Sequence, residues 1–427
     1  MATNIPYGSP LANILQSAGL FAANMQRNTT INRLTGKFPQ QAESENTIRQ
    51  QTSTSMPIVR CMDLQKMAGD EVEFDFVNHL GGKPIMGSRN AEGYGKAMSF
   101  AQDRLRINQA RYPISAGDTM TQQRTPHQLR SLARTLGEAY MNRLQDQLSL
   151  VHMAGARGFH NNVEWAVPLA SDPDFASILV NPVRAPSRNR HFMSTGTGLE
   201  TVKAAASEIT MTTADVFNAD LVDSLRAQLD SMALAPSPIE FDGDKLAADS
   251  PLRVLLVSSD QFASFAQSTN YRTYLSNAIA RGQQAGNHPL FMGGDTALWN
   301  GILMVKMPKP IRFYAGNPIN WCASTTSETE TTTDLAPAAL GTGYAIDRAI
   351  LLGGQALAEA WGKHRKTGNP FFWSEKELDH DDKLELLVGA INGRSKVRFE
   401  VDHGNEKQIT DNGIIAIDTV VKLGVAA

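Results

Sequence analysis

Residues 69–77 alternate apolar and acidic side chains, with Val72, Phe74 and Phe76 on one side and Glu71, Glu73 and Asp75 on the other. A period of two predicts a half-buried strand. The glycine-rich bend Gly81-Gly82-Lys83-Pro84 follows, and Leu105 to Tyr112 alternates again in the return direction. Together these predict a hairpin-like excursion with too little apolar surface for a core of its own. A two-stranded ribbon is marginal in water, so another copy of the chain is its expected holder. The bend, Gly81, Gly82, Lys83 and Pro84, is the expected contact with that neighbour.

The pattern then switches to helical spacing. Leu129, Leu132, Ala133, Leu136, Ala139, Tyr140, Leu144, Leu148 and Val151 recur at intervals of three and four. Thr125-Pro126-His127-Gln128 supplies an N-cap threonine, a proline at N1 and a glutamine at N3. Gly155 is a natural stop. The prediction is a helix over 126–154, about 40 Å long, able to serve as the spine of an elongated subunit.

Further along, Thr213 to Met232 and Ala263 to Ala280 read as helices, and Gln355 to Trp361 as a short one. Val254–Val257 and Gly301–Lys306 are unbroken apolar runs that read as buried strands. Lys396–Val401 and Ile414–Leu423 read as closing strands. Residues 156–200, with Arg184, Pro186, Arg188 and Arg190, read as a long surface loop, and 323–334 as a polar low-complexity loop. Trp299 and Trp361 read as core aromatics. Strands and helices in mixed order predict an α+β fold.

Residues 1–60 are rich in Asn, Gln, Thr and Ser, a composition that does not fold alone. Leu11, Ile14, Leu15, Ala18, Phe21 and Met25 suit one short amphipathic helix there. Docking on a neighbour and packing on its own domain both remain open for this arm. The arm carries five basic and two acidic side chains in a chain whose net charge is −3. Residues 96–144 carry eight basic and three acidic side chains. These cations suit either phosphate neutralisation on DNA or pairing with carboxylates.

Enzyme signatures are missing. Neither a Gly-x-Ser-x-Gly elbow nor a His-Glu-x-x-His helix occurs. Gly82-Lys83 lacks the first glycine and the following Ser or Thr of a phosphate-binding loop; Val77 and Pro84 stand there instead. Asp379-His380-Asp381-Asp382 is dense in potential metal ligands, but consecutive residues splay apart, so it reads as a solvated turn. His160, His191, His288 and His364 are scattered and read as structural or exposed. Cys61 and Cys322 form neither a disulfide framework nor a zinc set and fit a reducing compartment. No run is apolar for long enough to span a membrane, and the N-terminus lacks the basic start of a signal peptide.

Three stretches carry a resemblance: Gly69 to Gly155; Val254 to Gln261 followed by Pro289-Leu290-Phe291-Met292-Gly293 and Trp299-Asn300-Gly301-Ile302; and Asp347 to Leu357. In this order and spacing the chain resembles major capsid proteins of tailed bacteriophages with the Hong Kong-type capsid fold, nearest those of N-four-like podoviruses. The resemblance implies a non-enzymatic, cofactor-free structural protein that self-assembles into an icosahedral head around double-stranded DNA. It implies an N-terminal arm (1–68), an extended loop (69–124) and a peripheral domain (125–252) with the spine helix. An axial domain (253–345) and a return segment with closing strands (346–427) complete the layout. The implied partners are other copies in hexamers and pentamers, with scaffold, portal and decoration proteins and non-specific contact with packaged DNA, but no membrane. The implied place is the virion, assembled in the host cytoplasm. Two rivals stand beside this reading: a cellular nanocompartment shell of the same fold, and an α+β hydrolase with a nonlocal site.

Overall fold

The computed structural model describes residues 21–23, 56–61, 69–77, 84–88, 90–95, 100–124, 128–161, 163–232, 234–240, 252–267, 296–326, 331–366, 368–380, 382–402 and 407–424. The fold is α+β and rich in strands.

Its centre is an eight-stranded mixed sheet. The strand order runs Thr296–Trp299, Ile302–Lys306, Arg253–Val257, Tyr344–Leu352, Ile414–Lys422, His191–Ser194 and Leu199–Thr201, with Arg312–Tyr314 also paired to Tyr344–Leu352. Successive residues of the middle strands face opposite layers. Ile350, Leu352, Ile414 and Val420 pack with Leu144, Leu148 and Val151 of the spine helix. Leu351, Ile415 and Ile417 pack with Leu221 and Leu225 of the helix Ala219–Ser231 and with Phe262 and Phe265 of the helix Ser259–Ala266. Burial on both faces also explains why Val254–Val257 reads as an unbroken apolar run.

The spine helix spans Leu129–Ala154, and Gly155 closes it in the left-handed conformation with its N–H on the Val151 carbonyl. It begins later than predicted. Gln128 stands at the cap without a side-chain hydrogen bond, and the proposed capping residues 125–127 lie outside the described residues. Its outer half lies on a second sheet built around the 14-residue strand Lys383–Lys396. Gly137 makes that approach possible: a Cβ there would meet Ile114 Cδ1 at 2.8 Å and Val388 Cγ1 at 3.1 Å.

Several expectations fail for stated reasons. The return run 105–112 belongs to two strands in two sheets, Phe100–Arg106 and Asn108–Asp118. The chain switches partners at Ile107, whose N–H goes to the Asp70 carbonyl. Gln355–Trp361 is not a helix. Leu357–Trp361 is a strand held antiparallel to 392–396, so ladder pairing overrides the helix preference of its leucine and alanines. Part of the 323–334 loop is the strand Thr331–Leu335, paired with Pro318–Cys322; 327–330 lie outside the described residues. Residues 156–200 are no simple surface loop. Trp165, Val167, Leu179, Ala185, Arg157 and Arg190 are buried, the two arginines with main-chain carbonyl partners.

The second helix starts at Ala219 with Asn218 as its cap, because Asp215 instead accepts from the Thr212 N–H and hydroxyl. The third spans Ser259–Ala266 behind a reciprocal Ser258–Gln261 capping box, and 268–280 lie outside the described residues. The closing run 396–401 is interrupted at Val397 between two strands. In the arm, Phe21–Ala23 is a strand parallel to Asp75–Val77, not part of a helix; the rest of that proposed helix is outside the described residues. The arm's last part packs on its own body: Ile58–Cys61 runs parallel to Leu357–Ala360.

Candidate functional site

Two features stand out: a body pinned by buried charges, and a ribbon seated on it whose far end is exposed. Four arginine–carboxylate pairs are buried in the sheets, and each joins residues directly opposite in a ladder. Arg312 faces Asp347, with Nε and Nη2 each 2.7 Å from a carboxylate oxygen. Arg348 faces Asp418 at 2.7 and 2.9 Å. Arg394 faces Glu359, Nε to Oε1 2.7 Å. Arg398 faces Asp411, Nε to Oδ1 2.6 Å. A one-residue slip in any ladder would strand two buried charges, so these rungs fix register far more strictly than apolar matching does.

The rungs also tie the layers together. Arg348 donates to the Ala154 carbonyl at the C-terminal end of the spine helix, where a cation is favoured. Ser258, the cap of the Ser259–Ala266 helix, donates to Asp347 at 2.5 Å. His191 donates to Asp418 at 2.8 Å. Burial pushes the Asp418 carboxyl up, but Arg348 and His191 outweigh it and hold the group below the usual carboxylate range. Burial likewise opposes ionisation of Asp411, and Arg398 and Lys396 override it. The sequence did carry a signal for these pairs: Asp347-Arg348 and Asp418 interrupt otherwise apolar runs.

The ribbon is Glu71–Val77 against Phe100–Arg106, register Glu71 to Arg106 through Val77 to Phe100. Its root is fixed. Arg184 grips Asp103 with two bonds of 2.9 Å, and Asn181 bonds the Arg106 main chain on both sides. Beyond the ladder, Ile85, Met86 and Tyr94 are exposed, with Met86 and Tyr94 each 73% open. Of the expected contact residues, Pro84 is exposed and Gly81, Gly82 and Lys83 lie outside the described residues.

Four of the eight cations of 96–144 are engaged within the chain. Arg106 pairs with Glu71, Arg130 with Glu375 and Arg134 with Glu138, and Arg143 lies over Tyr140. His160 bonds the Tyr314 hydroxyl, and His364 stacks on Phe372. His288 is outside the described residues. Asp379 and His380 adopt positive φ in the turn before Lys383, which pairs with Asp379; Asp381 is outside the described residues. Among the described residues no group of three or more His, Cys, Asp or Glu could hold a metal. No described helix is long and apolar enough to cross a membrane. Cys61 and Cys322 are buried thiols outside any disulfide. Trp361 is buried as expected; Trp299 is half-buried, its indole N–H on Asp223.

The described chain is thus a pinned strand-rich body with a long spine helix and a ribbon seated on it, exposed and apolar at its far end. Comparison with known proteins supplies the class. The profile of the phage capsid protein family matches residues 4–423, so the chain belongs to that family, and it is a structural, shell-forming protein rather than an enzyme. It is similar to the capsid of Ralstonia phage GP4, at 24% identity over 88% of this chain and 90% of that one, TM-score 0.66. The cyanophage Pam1 capsid is similar at 16% identity over 85% and 88%, TM-score 0.55. The acid-stable capsid of Helicobacter pylori bacteriophage KHP30 is similar at 11% identity over 98% and 99%, TM-score 0.53. No curated protein matches the sequence.

Proposed function

We propose that this chain is the major capsid protein of a tailed phage, and that many copies, as hexamers and pentamers, form an icosahedral head around double-stranded DNA. The observation that carries this reading is the far end of the ribbon: the ladder is held on the body by Asp103–Arg184, and beyond it Ile85, Met86 and Tyr94 are exposed and apolar. The ladder itself is seated on the body, Val72, Ala101 and Leu105 packing with Val59, Phe399 and Val401, so it is the exposed end beyond the ladder that a neighbouring subunit covers in this reading. The bend Gly81-Gly82-Lys83-Pro84 belongs to the same contact. Many weak contacts, each repeated by symmetry, add up to a stable container.

This reading divides the chain into arm, extended loop, peripheral and axial domains as expected from sequence, with sheets that cross the divisions: Ile58–Cys61 of the arm and Asn108–Asp118 of the loop share the sheet of Lys383–Lys396, and His191–Ser194 shares that of Arg253–Val257. Assembly in the host cytoplasm, with scaffold, portal and decoration proteins as partners, belongs to this reading. Negative-stain microscopy of the expressed chain tests it: closed shells are expected, and a soluble monomer at high concentration would overturn it. Terminase and portal genes beside this one, rather than a peroxidase or ferritin-like gene, would separate a phage head from a cellular compartment.

A further inference from the structure

Strands Leu357–Trp361 and Phe371–Leu378 are one line interrupted. The first pairs with 396–392 and the second with 390–383, on the same strand and in the same direction. Both broken ends meet one residue: the Gly362 N–H donates to the Ile391 carbonyl at 3.0 Å, and the Ile391 N–H donates to the Pro370 carbonyl at 3.0 Å. The chain between them loops out from a ladder that would close without it. That excursion contains Lys363-His364-Arg365-Lys366.

The loop is braced rather than loose. His364 donates its N–H to the Asn369 carbonyl at 2.9 Å and accepts from the Gly368 N–H at 2.8 Å. Its ring stacks on Phe372, centroids 4.2 Å apart and 12° from parallel. Phe372 lies across Gly389, where a Cβ would sit 2.3 Å from the ring; glycine is what lets the ring lie flat on the sheet. Lys363, Arg365 and Lys366 are exposed. Arg111, register partner of Gly389, is exposed on the same face. Among the described residues, these four cations form no ion pair, whereas the buried arginines of the sheets are paired with carboxylates.

We propose that Lys363, Arg365 and Lys366, presented on the 362–370 excursion, bind the phosphates of duplex DNA without reading its sequence, with Arg111 a further cation on the same face two strands away. The inference rests on the reading of the chain as a DNA-enclosing shell. Phosphate binding needs clustered, solvent-facing cations and little shape. Protein interfaces instead deplete lysine and enrich aromatic side chains at their cores, and the loop offers lysines among Gly, Thr and Asn. Bracing by the His364–Phe372 stack lowers the ordering cost of each contact.

The test uses the full-length chain and a short fluorescent DNA duplex, with binding followed across a salt series. The triple variant K363S/R365S/K366S should bind at least tenfold more weakly at low salt. The slope of log affinity against log salt should fall by about 2–3, the share of three phosphates. The charge-keeping variant K363R/R365K/K366R should bind like the parent. Circular dichroism of both should match the parent, since the side chains are exposed. Unchanged affinity and slope in the triple variant would overturn the proposal. So would a triple variant that binds DNA normally but no longer assembles, because the loop would then be a protein contact. Microscopy of the parent chain decides the shell reading separately.

Discussion

Arg348 and Asp418 stand directly opposite each other on adjacent antiparallel strands, both buried, joined by bonds of 2.7 and 2.9 Å. Removing one partner leaves the other charged and unpaired in the core. Arg348→Met or Asp418→Asn should each destabilise the subunit by about 3–5 kcal/mol, and Arg348→Met with Asp418→Leu should recover most of the loss. Urea unfolding of the four proteins checks this. Equal losses in single and double variants would show that the pair is not what pins these strands.

Gly137 sets the distance between spine helix and sheet. Gly137→Leu raises helix propensity but drives a side chain into Ile114 and Val388, 2.8 and 3.1 Å from the position of its Cβ. Overpacking of this kind costs about 1–3 kcal/mol. A lower thermal midpoint is expected; a higher one would mean that the helix rides away from the sheet at no cost.

His152 gives a pH signature. Burial pushes its imidazole down to about 4, with Arg394, Lys396 and Arg184 adding to the effect against the Leu179 carbonyl. The unfolded chain takes up the proton near pH 6.5. Stability from the neutral ring is therefore complete above about pH 6.5 and is lost as pH falls toward 4, amounting to about 3 kcal/mol in all. His191 is also pushed down by burial and adds in the same direction. His152→Met should flatten the stability curve between pH 7 and pH 4. An unchanged slope in denaturant titrations at those two pH values would refute the assignment.

Deleting Leu80 to Met86 should leave the subunit's denaturation midpoint nearly unchanged and lower the temperature at which assembled shells break. Ile85 and Met86 are exposed in the isolated chain, so few internal contacts go with them, while a contact between copies would be lost in every subunit. Calorimetry of subunits and shells separates the two effects. Loss of subunit stability alone would show that the segment packs on its own chain.

Local pattern was enough for the elements with one regular period. The alternation of Val72, Phe74 and Phe76 marks the strand Glu71–Val77. The three-and-four spacing through Leu144 and Leu148, ended by Gly155, marks the spine helix. Val254–Val257 and Ile414–Ile417 are unbroken because both faces are covered. The order and spacing of these elements also carried the resemblance to phage capsid proteins.

Tertiary structure decided whatever depended on partners distant in sequence. Leu357–Trp361 has helix formers, yet strand 392–396 claims its backbone. Residues 105–112 alternate evenly, yet serve two sheets because the Ile107 N–H turns to Asp70. The rungs Arg348–Asp418 and Glu359–Arg394 join residues 70 and 35 positions apart, and the basic excursion becomes visible only once both its ends meet Ile391. A hydrophobic period reports which face of an element is buried; it does not say against what, and pairing is settled by groups the local window never contains.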